Sequence, residues 1–196
     1  MSDNQLGLVQ VYTGSGKGKT TVALGLALRA VGHRFRVHII QYMKGSSYAG
    51  ELFSLQRLLP YVTIAQFGRG CPYSALIRQG MKQCTGCGQC FLKDGQPTEE
   101  DFEMAGLALA ESQKAVTGGD YDMVILDEIG NALRYNLITI EQVTDLIKSR
   151  RPGVELILTG RGIPQEVLAL ADLVSEIQEV KHPYKAGIAS RRGSEY

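Results

Sequence analysis

Residues 8–21 read LVQVYTGSGKGKTT, and VALGLALRAVG follows at residues 22–32. An apolar run gives way at Thr13 to alternating glycines, then to lysines and threonines, then to an apolar stretch with helical spacing. The order is strand, phosphate-binding loop, helix. Gly14, Gly16 and Gly18, with Ser15 between the first two, lack the side chains that would stop a backbone from curling around an anion. Lys17 and Lys19 bring positive charge, Thr20 offers a hydroxyl to a phosphate-bound Mg2+, and Thr21 continues the first helical turn. That helix directs its positive dipole end at the same anion. Aligning G-x-x-x-x-G-K-[ST] on Gly18-Lys19-Thr20 puts Thr13 where the first glycine belongs, so the strict pattern fails by one residue and Lys17 partly compensates. A dinucleotide fingerprint G-x-G-x-x-G is excluded because position 19 is lysine.

The flanking sequence alternates strands and helices. Strands are expected at 5–12, 36–42, 61–66, 121–128, 154–159 and 173–180, with helices from Lys19, Glu51, Thr98, Thr139 and Pro164. The pattern implies an α/β fold: a mostly parallel sheet with helices on both faces, of the RecA-like phosphate-loop nucleotidase type. YDMVILDE at 121–128 carries Asp127 and Glu128 to the phosphate end of that sheet, where one acid holds Mg2+ and the other orients the nucleotide. Lys44 and Glu51 follow the second strand and face the ligand crevice, a bare surface loop being the other reading. Arg161, between two glycines after the fifth strand, is placed to reach a polyphosphate or carboxylate.

The 196 residues, 44% of them hydrophobic, suit one domain spanning 1–196. The net charge is +1, with 21 basic and 20 acidic residues interspersed, which gives no electrostatic footprint for nucleic acid or an anionic membrane. No apolar run is long enough to span a bilayer and MSDNQ is not a signal-peptide start, so a cytoplasmic protein is expected.

All four cysteines fall within 67–97, a stretch rich in glycine and proline that lacks sustained periodicity and reads as an insertion in the domain. Cys84, Cys87 and Cys90 stand at two-residue gaps, and Cys71 lies thirteen residues upstream of the first. A local metal site is the expectation: three close thiols plus a remote fourth are more like cubane [4Fe-4S] ligation than the two-and-two split of a zinc finger, with zinc or free thiols as alternatives. The tail from 180 to 196 is too polar for a core and either frays or folds over a ligand.

TGSGKGKTT, VILDE, TGRG, LADLVSE, VKHPYKAGI and the terminal GSEY together resemble the ATP:corrinoid adenosyltransferases that act in cobalamin synthesis and salvage. The likeness runs from the first strand to the last residue and includes the missing first glycine. It implies transfer of the 5′-deoxyadenosyl group of ATP to cobalt(I) of a corrinoid, with release of intact triphosphate. Lys17 and Lys19 would then stabilise charge on the leaving group, in a nucleotide bound the opposite way round from ordinary nucleotidases. No catalytic base is needed; Lys17, Lys19, Glu128 and Arg161 position, and Thr20, Asp127 and Glu128 hold Mg2+. The resemblance also implies a corrinoid surface including Tyr73, Cys71, His182, Lys44 and Glu51, an electron donor of flavoprotein or ferredoxin type, and a homodimer. The chain departs from the family where a Phe-x-Trp pair strips the lower cobalt ligand: Gly70-Cys71-Pro72-Tyr73 stands there, at the start of the cysteine-rich stretch. An ATP-hydrolysing switch and an ATP-gated metal-cluster module are the alternatives.

Overall fold

The computed structural model describes residues 6–92 and 96–196. Gln5, expected to open the first strand, lies outside them, as do residues 93–95 of the cysteine-rich stretch. The strands are β1 (Val9–Thr13), β2 (Val37–Tyr42), β3 (Val62–Phe67), β4 (Met123–Asp127), β5 (Glu155–Thr159) and β6 (Leu173–Glu176). The helices are α1 (Lys19–Gly32), α2 (Gly50–Gln56), α3 (Ser74–Arg78), α4 (Glu99–Gly118), α5 (Ile129–Arg134), α6 (Ile140–Ser149) and α7 (Gln165–Leu168), followed by a single 3-10 turn at Pro183–Ala186. The strands form one sheet in the order β3-β2-β4-β5-β1-β6, and every pairing is parallel.

Alternation along the strands feeds two cores. Val37, Ile39, Met123, Ile125 and Ile157 point to one face, where the small residues Ala23, Ala27 and Ala30 of α1 let that helix pack close. Ile40, Tyr42, Val124, Leu126, Leu156 and Leu158 point to the other, against α4, α5, α6 and α7. Being buried on both faces is why the central strands read as continuous apolar runs. Because all strands run the same way, the segments leaving β1, β2, β4 and β5 gather at one edge of the sheet.

Four details differ from the sequence reading. The sheet is wholly rather than mostly parallel. The strand expected at 173–180 stops at Glu176, an edge strand with Leu173 and Val174 exposed. The 67–97 stretch surrenders Phe67 to β3 and contains the short helix α3. The helix α5 went unanticipated, because Glu128, expected as the last strand residue, is its N-cap at φ 64° and turns the chain directly from β4. Among the described residues, no helix is long and apolar enough to cross a membrane.

Arg69, two residues past β3, anchors the far end of the cysteine-rich stretch. Its Nε donates to Asp101 Oδ1 at 2.8 Å and a second guanidinium nitrogen pairs with Oδ2, while the Thr98 N–H donates to the same carboxylate at 2.8 Å in the capping box of α4. Burial pushes the Asp101 carboxyl up, but the Arg69 and Thr98 hydrogen bonds outweigh it and hold the group below its ordinary value. A depressed carboxyl stabilises the fold above its unfolded pKa and loses that contribution as pH falls through the folded one. Asp101→Asn should therefore cost about 1–3 kcal/mol at pH 7. Urea denaturation at stepped pH should show the gap to wild type closing as pH drops below 3.8; a gap constant with pH would refute the assignment.

Candidate active site

The phosphate loop hangs between β1 and α1 and is packed from behind. Gly16 N–H donates to the Ile177 carbonyl at 2.7 Å, just beyond β6. A Cβ on Gly16 would stand 2.8 Å from the Gln178 backbone, and one on Gly14 would strike the Ile177 carbonyl. The glycines therefore serve close backbone approach as well as curvature. Thr13 ends β1 and accepts from Ile177 N–H at 2.9 Å, and Ser15 Oγ accepts from Glu179 N–H at 3.4 Å. Thr13, Gly14 and Ser15 thus form the support of the loop, whereas Gly16, Lys17, Gly18, Lys19, Thr20 and Thr21 line a cleft of about 720 Å³. Gly18 caps α1 in the left-handed conformation without a side-chain hydrogen bond, so the first N–H groups of α1 face the cleft with the helix dipole behind them.

At the floor lies Asp127, 1% exposed. Its Oδ1 accepts from Thr20 Oγ1 at 2.9 Å and Thr159 Oγ1 at 2.7 Å; its Oδ2 accepts from Lys44 Nζ at 2.6 Å and Gln41 Nε2 at 3.0 Å. Burial pushes this carboxyl up, yet the Lys44 ammonium and the hydroxyls keep it below its ordinary value and hence ionised. Lys44 is in turn raised, Asp127 overcoming the cost of burial. Its ammonium also lies 3.4 Å from Thr20 Oγ1. Glu128 stands above, its N–H donating to Thr159 Oγ1 at 3.0 Å and its Oε2 accepting from Asn131 Nδ2 at 2.6 Å. Burial and then the neighbouring Asp127 push the Glu128 carboxyl up, against Lys44, Lys19 and Arg161.

Lys19, almost fully buried, donates to the Gly14 and Gly16 carbonyls at 2.8 and 2.7 Å. Burial and the nearby Arg161 push its ammonium down. Lys17 reaches the other way, pairing with Glu195 at 2.8 Å. Lys44, Glu51, Glu128, Arg161 and His182 all line the same cleft. Tyr73 and Cys71 do not: they line a separate cavity with the remaining cysteines, and Lys82 sits 3.4 Å over the Tyr73 ring. Between the two lies a cavity of about 130 Å³ sharing Lys44, Glu128, Asn131 and Tyr135 with the cleft and Cys90 with the cysteine cavity. Burial pushes the Cys90 thiol up, the Ser46 hydroxyl opposing. Sequence reading missed Asn131, Arg134 and Tyr135, which reach the cleft from α5 and its end; the apolar spacing of Ile129, Ala132 and Leu133 was the signal available. It expected a tail folded over the ligand without naming residues; Gly193, Ser194, Glu195 and Tyr196 are those that line the cleft.

The family model for ATP:corrinoid adenosyltransferase BtuR/CobO/CobP matches residues 5–196. The chain belongs to the ATP:corrinoid adenosyltransferase family. It is 32% identical over 195 residues to the corrinoid adenosyltransferase of Escherichia coli strain K12, covering all of this chain and 88% of that one. It is likewise 32% identical over 195 residues to the corrinoid adenosyltransferase CobA of Salmonella typhimurium, with the same coverage. Against the corrinoid adenosyltransferase of a Sinorhizobium species it is 30% identical over 194 residues, 98% of this chain and 82% of that one. Among solved structures, the flagellar accessory protein FlaH of Methanocaldococcus jannaschii superposes with a TM-score of 0.51 at 15% identity, over 88% of this chain and 71% of that one. That likeness bears on the fold alone.

Lys17 is a candidate phosphate ligand, and the Glu195 carboxylate on it would compete with nucleotide phosphate. Arg191 and then Lys17 hold Glu195 well below the usual carboxylate range, so it is charged at neutral pH. The pair is exposed and weak, so Glu195→Gln should tighten triphosphate-nucleotide binding by only about 2–5-fold. Calorimetric titration with an ATP analogue checks this; weaker binding would mean that Glu195 helps hold the nucleotide.

Proposed function

We propose that the protein transfers the 5′-deoxyadenosyl group of ATP to cobalt(I) of a corrinoid. The electron pair of cobalt forms a bond to the ribose C5′ while the C5′–oxygen bond breaks, and that oxygen leaves with the triphosphate. The observation that carries this reading is the convergence of Lys17, Lys19, Lys44, Arg134 and Arg161 on one cleft at the N-terminus of α1, in a chain that matches the family along its length. Charge accumulates on the departing triphosphate, and cations held in a partly buried cleft stabilise it more than water does. Cobalt(I) is itself the nucleophile, so Glu128 need not act as a base; held by Asn131, it is suited to orienting ribose hydroxyls.

The Thr20 hydroxyl and the Glu128 carboxylate suit a hard cation and would hold Mg2+, with Asp127, whose oxygens are taken by protein donors, acting from behind through the Thr20 hydroxyl or through water. When bound, Mg2+ neutralises part of the phosphate charge. Lys44, the loop residue against Thr20 and Asp127, keeps Asp127 ionised in that supporting role. Glu51 and His182, on the rim of the cleft, are the candidates to meet the corrinoid. Generation of cobalt(I) falls to an external flavoprotein or ferredoxin-type donor, and the working unit is a cytoplasmic homodimer; both rest on family likeness.

The test mixes protein, magnesium-ATP and chemically prereduced cobalt(I) corrinoid, following cobalt absorbance and phosphate products together. Adenosyl-cobalt and inorganic triphosphate should form one for one, whereas ADP and orthophosphate without a cobalt-carbon product would favour a hydrolytic switch. Lys19→Ala should lower kcat by about 10²–10³-fold, the scale of one lost preorganised donor.

A further inference from the structure

Adenosyl transfer as proposed makes no use of the four cysteines, which lie between β3 and α4. Cys71 precedes α3, the other three follow it, and all four line one cavity of about 20 Å³. Gly86 and Gly88, at φ 67° and 73°, make left-handed turns between successive cysteines and bring Cys84, Cys87 and Cys90 back to the same side. Phe91 N–H donates to the Gly88 carbonyl at 3.1 Å and closes the second turn. None of the four is in a disulfide.

Apart from the Arg69–Asp101 pair and Leu92, which packs against the core, little else holds this segment. Among its described residues Ile77 is the one buried hydrophobic side chain, while Leu76, Met81 and Phe91 are exposed. A stretch of this length without a core of its own needs a cross-link or a metal to adopt one shape. We propose that Cys71, Cys84, Cys87 and Cys90 bind a single zinc-class divalent ion in a tetrahedral all-thiolate site that fastens this segment to the domain.

A closed set of four thiolates without histidine is a structural zinc donor set; the tight three-cysteine run also suits a cubane, and the iron and labile-sulfide arm of the experiment separates the two. Among the described residues no three His, Cys, Asp or Glu side chains already stand close enough to grip a metal. Neutral thiols have no reason to do so: ligation requires their deprotonation, and closely gathered thiolates repel unless a cation lies between them. Closing the ring to zinc-sulfur distances near 2.3 Å is thus coupled to binding and releases protons.

The site also touches the cleft. Tyr48 Oη donates to Cys84 Sγ at 3.8 Å, and the Tyr48 ring meets the ring of Tyr196 edge-on at 5.3 Å.

The experiment uses full-length protein without ATP or corrinoid, so its outcome is independent of the transferase reading. Protein isolated without chelator should carry about one zinc per chain, released when a mercurial titrates the thiols. After removal, cobalt(II) should restore thiolate-to-metal charge-transfer and tetrahedral ligand-field bands that saturate at one equivalent. Metal removal should open the segment to trypsin at Lys82 while far-ultraviolet circular dichroism is retained. Cys87→Ser, at the exposed cysteine, should weaken cobalt binding by at least the roughly 10–100-fold that loss of an outer-shell partner costs. Four reactive thiols in metal-free protein that gives no cobalt bands would overturn the proposal, as would iron in any form, with or without acid-labile sulfide.

Discussion

A carboxylate removed from water is tolerable only when its charge and its lone pairs are met by the protein, and Asp127 sets that condition at the centre of the molecule. Its partners come from four places: Thr20 in α1, Gln41 in β2, Lys44 in the loop beyond β2, and Thr159 at the end of β5. Each segment that forms the cleft floor is therefore tied to the same two oxygen atoms. Moving any one of them strands part of a buried charge, so the loop, the lysine and the β5 end keep a common register. Gln41 extends the network to β3 through the Gln66 amide, which donates to Gln41 Oε1 at 2.8 Å. The site is rigid at its floor because its energetics leave few alternatives there.

Much of this is legible in the sequence. The unbroken apolar strands could only belong to a sheet covered on both faces, and the glycine-lysine loop after the first of them located the phosphate edge. Thr20, Asp127, Lys44 and Arg161 follow from those two facts, since parallel strands bring their carboxyl ends together. The helix α5 was not legible, because the residue that starts it is also the acid that ends the β4 landmark. A glutamate at φ 64° is unusual, and no propensity argument would put one there. Asn131, Arg134 and Tyr135 were lost with it. The purpose of Gly14 and Gly16 was half legible: curvature can be read from glycine spacing, but contact with Ile177 and Gln178, more than 160 residues away, cannot.

The charge distribution in the cleft fits a polyanion that must leave. Lys19 is buried and bonded to loop carbonyls, and burial and Arg161 push its ammonium down. Lys17, by contrast, is half exposed and engaged by Glu195 from the tail. The two lysines of the loop therefore differ in kind. One is fixed at a buried point by loop carbonyls, and the other is held by an exposed ion pair that is worth little and is readily given up.

The corrinoid surface inferred from the family is divided in this structure. Lys44, Glu51 and His182 face the nucleotide cleft, while Cys71 and Tyr73 face the cysteine cavity, the latter ring already covered by Lys82. Cys71 and Tyr73, set by the resemblance where an aromatic pair is expected, are thus turned toward their own cavity. Continuity is kept by the intermediate cavity, where Phe91 and Cys90 lie across from Tyr42, Glu128 and Tyr135. The segment carrying the cysteines consequently forms one wall of the space beside Glu128, and Tyr48 connects it to Tyr196 on the cleft rim. A segment with so little buried apolar surface of its own depends on fixings other than packing to hold that wall in one position: the Arg69–Asp101 pair is one, and the four thiols that line one cavity offer another.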